Sequence, residues 1–292
     1  MDSTGSDVWS GGTLTLVATP IGNLGDLSAR ARAALGEADV IFCEDTRRTR
    51  GLLAALGQPG APRLRSLHRH TEAALVVAVV EAVRAGQRVV LVSDAGTPGI
   101  SDPGRRVVAA VAAAGLVVTT VPGPSAVVAA LSVSGFDADR FIMEGFLPRR
   151  GPVRRERLLA WRAEERTVVF FESPQRLVAT LAEVHAVVGE RPAIVARELT
   201  KAHEEIVRGT LGELVAHWEG REVRGEVVVV VAGATPAVGA PPDTPALRDA
   251  LAARLAAGDS VRDAASAVAV ALRVSRRDAY EEALRLRPER PE

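Results

Sequence analysis

Residues 91–104, LVSDAGTPGISDPG, limit the possible folds more than any other part of the chain. The apolar run Arg88-Val89-Val90-Leu91-Val92 stops at Ser93-Asp94, and residues 94–104 then hold three glycines and two prolines. A short continuous apolar run bounded by Gly and Pro reads as a strand of a parallel sheet covered on both faces. Open α/β sheets bind ligands at the carboxyl ends of such strands. Ordinary strand-to-helix connections take about 2–6 residues. A longer one, opened to close backbone approach by Gly96 and Gly99 and stiffened by Pro98 and Pro103, reads as a ligand loop. Asp102 is placed to cap the next helix, with Pro103 at its first position.

The rest of the chain repeats this alternation. Apolar runs at 13–18, 39–44, 88–92 and 116–121 predict strands, and the 3.6-residue periodicity at 27–38, 71–85 and 103–114 predicts helices. Alternation of this kind gives a parallel sheet with right-handed crossovers, here an α/β domain over 13–121. The rigid turn Pro122-Gly123-Pro124, with Ser125 capping a helix over 126–134, leads into a second α/β domain over 122–235. Its strands are expected at 141–146, 167–171, 193–199, 204–209 and 226–232, forming a mixed sheet, with an arginine-rich helix between the first two. Residues 236–242 read as a Pro/Gly/Ala linker. Residues 243–288 form a small helical domain, where two short helices meeting at Arg273-Val274 resemble a helix-turn-helix. Ser260 with Asp263, and Ser275 with Asp278, sit at capping-box spacing.

Composition narrows the setting. A chain of 292 residues suggests two or three domains. Its formal net charge is zero, so no overall field favours a polyanion and any such contact must use local patches. With Cys43 as the lone cysteine there is no disulfide framework, which fits a reducing, cytoplasmic compartment. No apolar stretch is long enough to span a membrane. Residues 1–12 lack the basic start and apolar core of a signal peptide and read as a disordered leader. Lys201 is the only lysine; every other basic residue besides the histidines is arginine.

Three turns share one position. Residues 19–23, 93–104 and 122–126 each follow a strand, so parallel neighbours would bring them to one edge of the sheet as a cleft. The P-loop and the dinucleotide fingerprint are both absent, which leaves a small amphipathic ligand unnamed by spacing alone. His68 and His70 flank Arg69 without metal-ligand spacing and read as loop residues, so no metal site is expected.

The strings VATPIGNLGDLS, FCEDTRRTRGLL, LVSDAGTPGISDPG, VPGPSAVVAALSVSGF, FFESPQR and ARELTKAHEE occur in that order from residue 17 to 205. Together they resemble the ribosomal RNA small subunit methyltransferase I group of the tetrapyrrole-methylase superfamily. The resemblance implies two α/β domains with S-adenosylmethionine in the cleft between them, and a homodimer. It also implies methylation of the ribose 2′-OH of a cytidine in the decoding region of 16S rRNA, the free RNA or the small ribosomal subunit being the partner. Carried over position by position, it implies cofactor contacts at Ile21 and Gly22, at Gly96, Thr97, Pro98 and Ile100, and at Ser125 and Ala126. Phe170 and Phe171 would close over the adenosine. Thr97 stands where many tetrapyrrole relatives have Asp, so a carboxylate contact is lost or replaced.

Two clusters are candidate RNA contacts. Arg47 and Arg48, oriented by Asp45, would position phosphates, or else form surface ion pairs. Arg149, Arg150, Arg154, Arg155, Arg157, Arg162 and Arg166 outnumber Glu156, Glu164 and Glu165, which suggests phosphate contact as well as a solvated helix face. Arg276 and Arg277 open the last helix, where phosphate is favoured. A ribose hydroxyl must lose its proton as the methyl arrives, and lysine, unlike arginine, can shed its charge on burial. Lys201, with Glu204 or Glu205 setting its charge, is therefore the catalytic candidate, to deprotonate or electrostatically stabilise the 2′-oxygen; the alternative is a plain ion pair with either. Two rival functions remain open: a methylase of a tetrapyrrole, and a ligand-sensing DNA-binding regulator. Against the second, residues 243–292 carry nine Arg against nine Asp plus Glu and so no basic face.

Overall fold

The computed structural model describes residues 12–58, 63–68, 71–235, 244–272 and 274–286. The expected leader and the 236–242 linker, with His70 and Arg273, lie outside the described residues, Gly12 of the leader excepted.

The first unit runs β1 (Thr13–Val17), α1 (Ala29–Glu37), β2 (Val40–Cys43), α2 (Thr46–Ala55), β3 (Arg63–Ser66), α3 (Glu72–Arg84), β4 (Arg88–Val92), α4 (Arg105–Ala113) and β5 (Val117–Val121). All pairings in its sheet are parallel, in the order β3-β2-β4-β1-β5. The central strands are buried on both faces, so the pleat shows no polar alternation. Val17, Ile41, Val90 and Val92 pack under α1 and α2, and Leu14, Phe42, Val89 and Leu91 pack under α3 and α4. Helix α2 and strand β3 are additions to the sequence reading. Asp45 accepts the Arg47 amide at 2.8 Å and starts α2 where the strand stops.

One capping expectation is corrected. Helix α4 starts at Arg105, and Gly104, at φ 132°, is its N-cap in place of Asp102 and Pro103. The orphan amides are satisfied from another helix: the buried carboxylate of Glu72 accepts from Gly104 N at 3.1 Å and Arg106 N at 2.7 Å.

The second unit continues with α5 (Ala126–Ser134), β6 (Phe141–Phe146), α6 (Pro152–Ala160), β7 (Thr167–Glu172), α7 (Leu177–Val188), β8 (Pro192–Arg197), β9 (Glu205–Thr210), α8 (Leu211–Trp218) and β10 (Val227–Val231). Its sheet is mixed, ordered β6-β7-β10-β8-β9, with only β6 and β7 parallel. One face packs Leu158, Leu181 and Leu214 from α6, α7 and α8. The other packs Val127, Ala130 and Leu131 of α5, together with Ile21 and Ala95 from loops of the first unit.

The tail holds three helices, one more than the two read at its end: α9 (Thr244–Ala256), α10 (Val261–Leu272) and α11 (Arg276–Arg285). Leu247, Leu251, Ala264, Val268, Ala279 and Ala283 form their shared core. Ser260 and Ser275 accept from the amides of Asp263 and Asp278, at 3.1 and 3.0 Å.

Candidate functional site

Adjacent parallel strands β4, β1 and β5 bring the three turns to one edge of the first sheet, and hydrogen bonds lace them together. Thr19 and Gly96 exchange backbone bonds at 2.9 and 3.0 Å, Thr19 Oγ1 donates to Ser93 O at 3.3 Å, and Thr97 Oγ1 donates to Pro124 O at 3.1 Å. Gly96 sits at φ 77°, where an L side chain is strained, and an added Cβ would lie 3.4 Å from Ile21 Cγ2.

The laced loops wall one side of a cavity of about 370 Å³, within the usual range for small-molecule sites. Ile21, Gly96, Thr97, Ile100, Ser125 and Ala126 line it, and the second unit supplies Phe146, Phe171, Glu172–Ser173 and 225–228. Ser125 caps α5 through its bond to Val128 N, which fixes the third wall. Of the residues expected to surround a cofactor, three lie elsewhere. Pro98 is buried and does not line the cavity. Phe170 is 0% exposed and packs on Trp161 on the opposite face of the sheet, because successive residues of β7 point to opposite sides. Gly22 touches the Thr200–Lys201 turn instead: an added Cβ would lie 2.3 Å from Lys201 Cγ.

That turn is held in an uncommon backbone conformation, Glu198 at φ 52° and Thr200 at φ 66°. The carboxylate of Glu204 fastens it by accepting from Thr200 N at 2.6 Å. Lys201 Nζ donates to Glu198 at 2.6 Å and Glu226 at 3.2 Å, and Glu226 belongs to the cavity wall. The expected pairing of Lys201 with Glu204 or Glu205 is therefore corrected: Glu205 is bound by Arg197 at 2.9 Å. Burial pushes the Lys201 amine down, but Glu198 and Glu226 more than offset this and hold it above the ordinary lysine value. This favours its ammonium form. Lys201 in turn holds the Glu198 carboxyl below its ordinary value.

Asp94, at the end of β4, also lines the cavity and was not singled out from the sequence. It accepts from Asp45 N at 3.0 Å and pairs with Arg48 at 3.6 Å. Arg47 binds Asp45 instead, at 2.9 Å, which holds that carboxyl near a pKa of about 2. Arg149 and Arg150 are exposed beyond β6. Arg154 is not: it is buried, donating to Glu183 at 2.7 Å, Pro148 O at 3.0 Å and Thr180 Oγ1 at 3.0 Å, so the RNA-contact reading is corrected for this residue. Arg276 and Arg277 are exposed at the start of α11, with Arg277 on Glu281 at 2.9 Å. Among the described residues no group of three His, Cys, Asp or Glu could hold a metal, and no helix is long and apolar enough to cross a membrane.

Residues 13–215 match the family described as Tetrapyrrole (Corrin/Porphyrin) Methylases. Over 263 residues, 90% of each chain, this sequence is 50% identical to "Ribosomal RNA small subunit methyltransferase I" of Mycobacterium tuberculosis. A protein of the same name from Synechocystis is 43% identical over 281 residues, 94% of this chain and 98% of its own. In fold the chain is similar to a cobalt precorrin-4 methyltransferase of cobalamin biosynthesis (TM-score 0.58, 21% identity, 75% of this chain and 94% of that one). It is also similar to diphthine synthase (TM-score 0.57, 19% identity, 75% and 90%).

Proposed function

The chain belongs to the tetrapyrrole methylases and, within them, to the ribosomal RNA small subunit methyltransferase I relatives; from that premise we propose that it methylates the ribose 2′-OH of a cytidine in 16S rRNA. The observation that carries this reading is the cavity between the two sheets, in a chain half identical to a ribosomal RNA methyltransferase.

The cavity suits S-adenosylmethionine. Ile21, Val127, Val228 and Phe171 give apolar surface for the adenosine, and the backbone of the laced loops fixes its outline. Asp94 and Glu226 place acidic residues on the same walls, which favours a ligand carrying a sulfonium and an ammonium. When bound, this donor supplies an electrophilic methyl group. The chain's own residues then do two things. They align the 2′-oxygen with that group, since orientation alone can account for ~7–11 kcal/mol of a barrier, and the hydroxyl proton, for which this scheme uses no side-chain base, passes to solvent water. They also hold the cation of Lys201 behind Glu226, so that negative charge at the cavity wall is partly balanced. Lys201 is a positioning residue in this scheme, and Glu204 and Glu205 keep its turn and strand in place.

The exposed arginines Arg48, Arg149 and Arg150 supply phosphate contacts, and Arg276 and Arg277 extend them to the tail. We further assign the substrate as rRNA free or in the small subunit, the setting as the bacterial cytoplasm, and the assembly as a homodimer. Incubation with radiolabelled methyl donor and small-subunit RNA, a tetrapyrrole or duplex DNA tests the reading. Label is expected in RNA alone; label in the tetrapyrrole or the DNA would overturn it.

A further inference from the structure

Phe146 stands at the cavity, 57% exposed as a residue. A bulge in β6 puts it there. Met143 pairs with Val169, but the next pair is Gly145 with Phe170, so Glu144 is an extra residue in the ladder. Without it, the alternation of the strand would turn Phe146 to the face of Ile142 and the α6–α8 core. With it, Phe146 lies opposite Phe171 on the cavity face, the rings 5.4 Å apart and inclined at 45°. Gly145 makes the bulge possible at φ 67°, and a Cβ there would lie 3.2 Å from Ser101 Oγ of the opposite loop. The displaced Glu144 is tied off by Trp161 Nε1 at 3.2 Å.

Exposed arginines flank the cavity, whose own walls also carry Asp94, Glu172 and Glu226. Arg149 and Arg150 follow it by three and four residues, both exposed, and Arg48, 64% exposed, comes from the opposite wall. Ile100 adds a second exposed apolar side chain, 49% open, on the same cavity. Sequence-specific RNA recognition targets single-stranded loops, whose unstacked bases are held on aromatic faces.

We propose that Phe146 is the platform on which the base of the methylated nucleotide stacks, with Arg48, Arg149 and Arg150 holding the flanking phosphates. This rests on the RNA-methyltransferase reading above. Stacking holds the base without choosing it, because every base has a π-face.

The test compares the full chain with Phe146→Leu, which keeps apolar bulk without a ring, and Phe146→Trp, which keeps a ring. Binding of S-adenosylmethionine is measured by calorimetry, and methyl transfer by steady-state kinetics on unmethylated small-subunit RNA. Phe146→Leu is expected to lower kcat/KM for RNA by about tenfold to a hundredfold, the usual loss on removing one base–aromatic stack, with donor affinity unchanged. Phe146→Trp is expected to keep wild-type kcat/KM. Wild-type kcat/KM in Phe146→Leu would overturn the proposal. So would a parallel loss of donor affinity, which would assign the ring to the adenosine. A changed sedimentation coefficient with intact methyl transfer would assign it to self-association, and so overturn it too. Failure of the wild type itself to methylate RNA would instead remove the reading on which the proposal stands.

Discussion

Gly22→Ala probes the contact between the two α/β units. The added methyl would lie 2.3 Å from Lys201 Cγ, 2.8 Å from Thr200 Oγ1 and 3.0 Å from Leu199 O. Carbon atoms rest about 3.5–4.0 Å apart, so the first gap falls short by more than an ångström. The lysine stem can rotate away, but only by loosening its bonds to Glu198 and Glu226. The carbonyl of Leu199 is backbone, in a turn fixed by Glu204 and by two left-handed residues. Relief therefore comes by moving the Ile21–Gly22 loop off the turn, which opens one wall of the cavity. Overpacking of this kind costs about 1–3 kcal/mol. Each kcal/mol lowers Tm by about 2–4 °C for a domain of 150–250 residues. Differential scanning calorimetry reads that shift, and titration with S-adenosylmethionine reads the wall. Gly51→Ala is the control: Gly51 lies within α2 with nothing within 4 Å of an added Cβ, so alanine should stabilise by about 0.5–1 kcal/mol. Wild-type Tm together with wild-type donor affinity in Gly22→Ala would refute the argument.

Lys201→Arg keeps the cation and is expected to transfer methyl within about tenfold of wild type, whereas loss of an acid–base group would cost about a hundredfold to ten-thousandfold in single-turnover rate. Lys201→Met removes the cation between Glu198 and Glu226, with a cost between the ~0.2–1 kcal/mol of an exposed pair and the ~3–5 kcal/mol of a buried one. Because the Glu198 carboxyl is held low, its share of stability is present above its unfolded pKa and lost as pH falls through the folded value. The Lys201 amine is held high, so its share is present below its unfolded pKa and lost as pH rises through the folded one. Urea unfolding should thus show the largest gap between wild type and Lys201→Met near neutral pH, shrinking in acid and in strong alkali. Deleting residues 243–292 should weaken RNA binding and flatten its salt dependence while sparing donor binding, which filter binding at several salt concentrations checks. Cys43 is 0% exposed and burial pushes its thiol up, so iodoacetamide should label it only after denaturation; rapid labelling of the native chain would contradict its burial.

Local chemistry explains what could be read in advance. The loop after β4, the Ser125 cap and the Pro-Gly turns follow from residues adjacent in sequence, and parallel pairing then sets three turns side by side. Contacts made across the chain were not legible. Antiparallel β8 and β10, with Val227 opposite Arg197, bring Glu226 to Lys201, 25 residues away in sequence. Nothing local to α4 announces Glu72 as its cap, 32 residues upstream. Arg154 shares its composition with the exposed arginines around it, and only the packing of α6 on α7 buries it. One extra residue in β6 decides which face Phe146 takes, and periodicity does not reveal such a bulge.

The central claim is transfer of a methyl group to a ribose oxygen of small-subunit RNA. Its most direct test uses trideuteromethyl-labelled S-adenosylmethionine, unmethylated small-subunit RNA and the purified full chain, followed by nuclease digestion and mass spectrometry of the nucleosides. The account predicts label in 2′-O-methylcytidine and nowhere else. Label on a base, or on the ribose of another nucleoside, would contradict it.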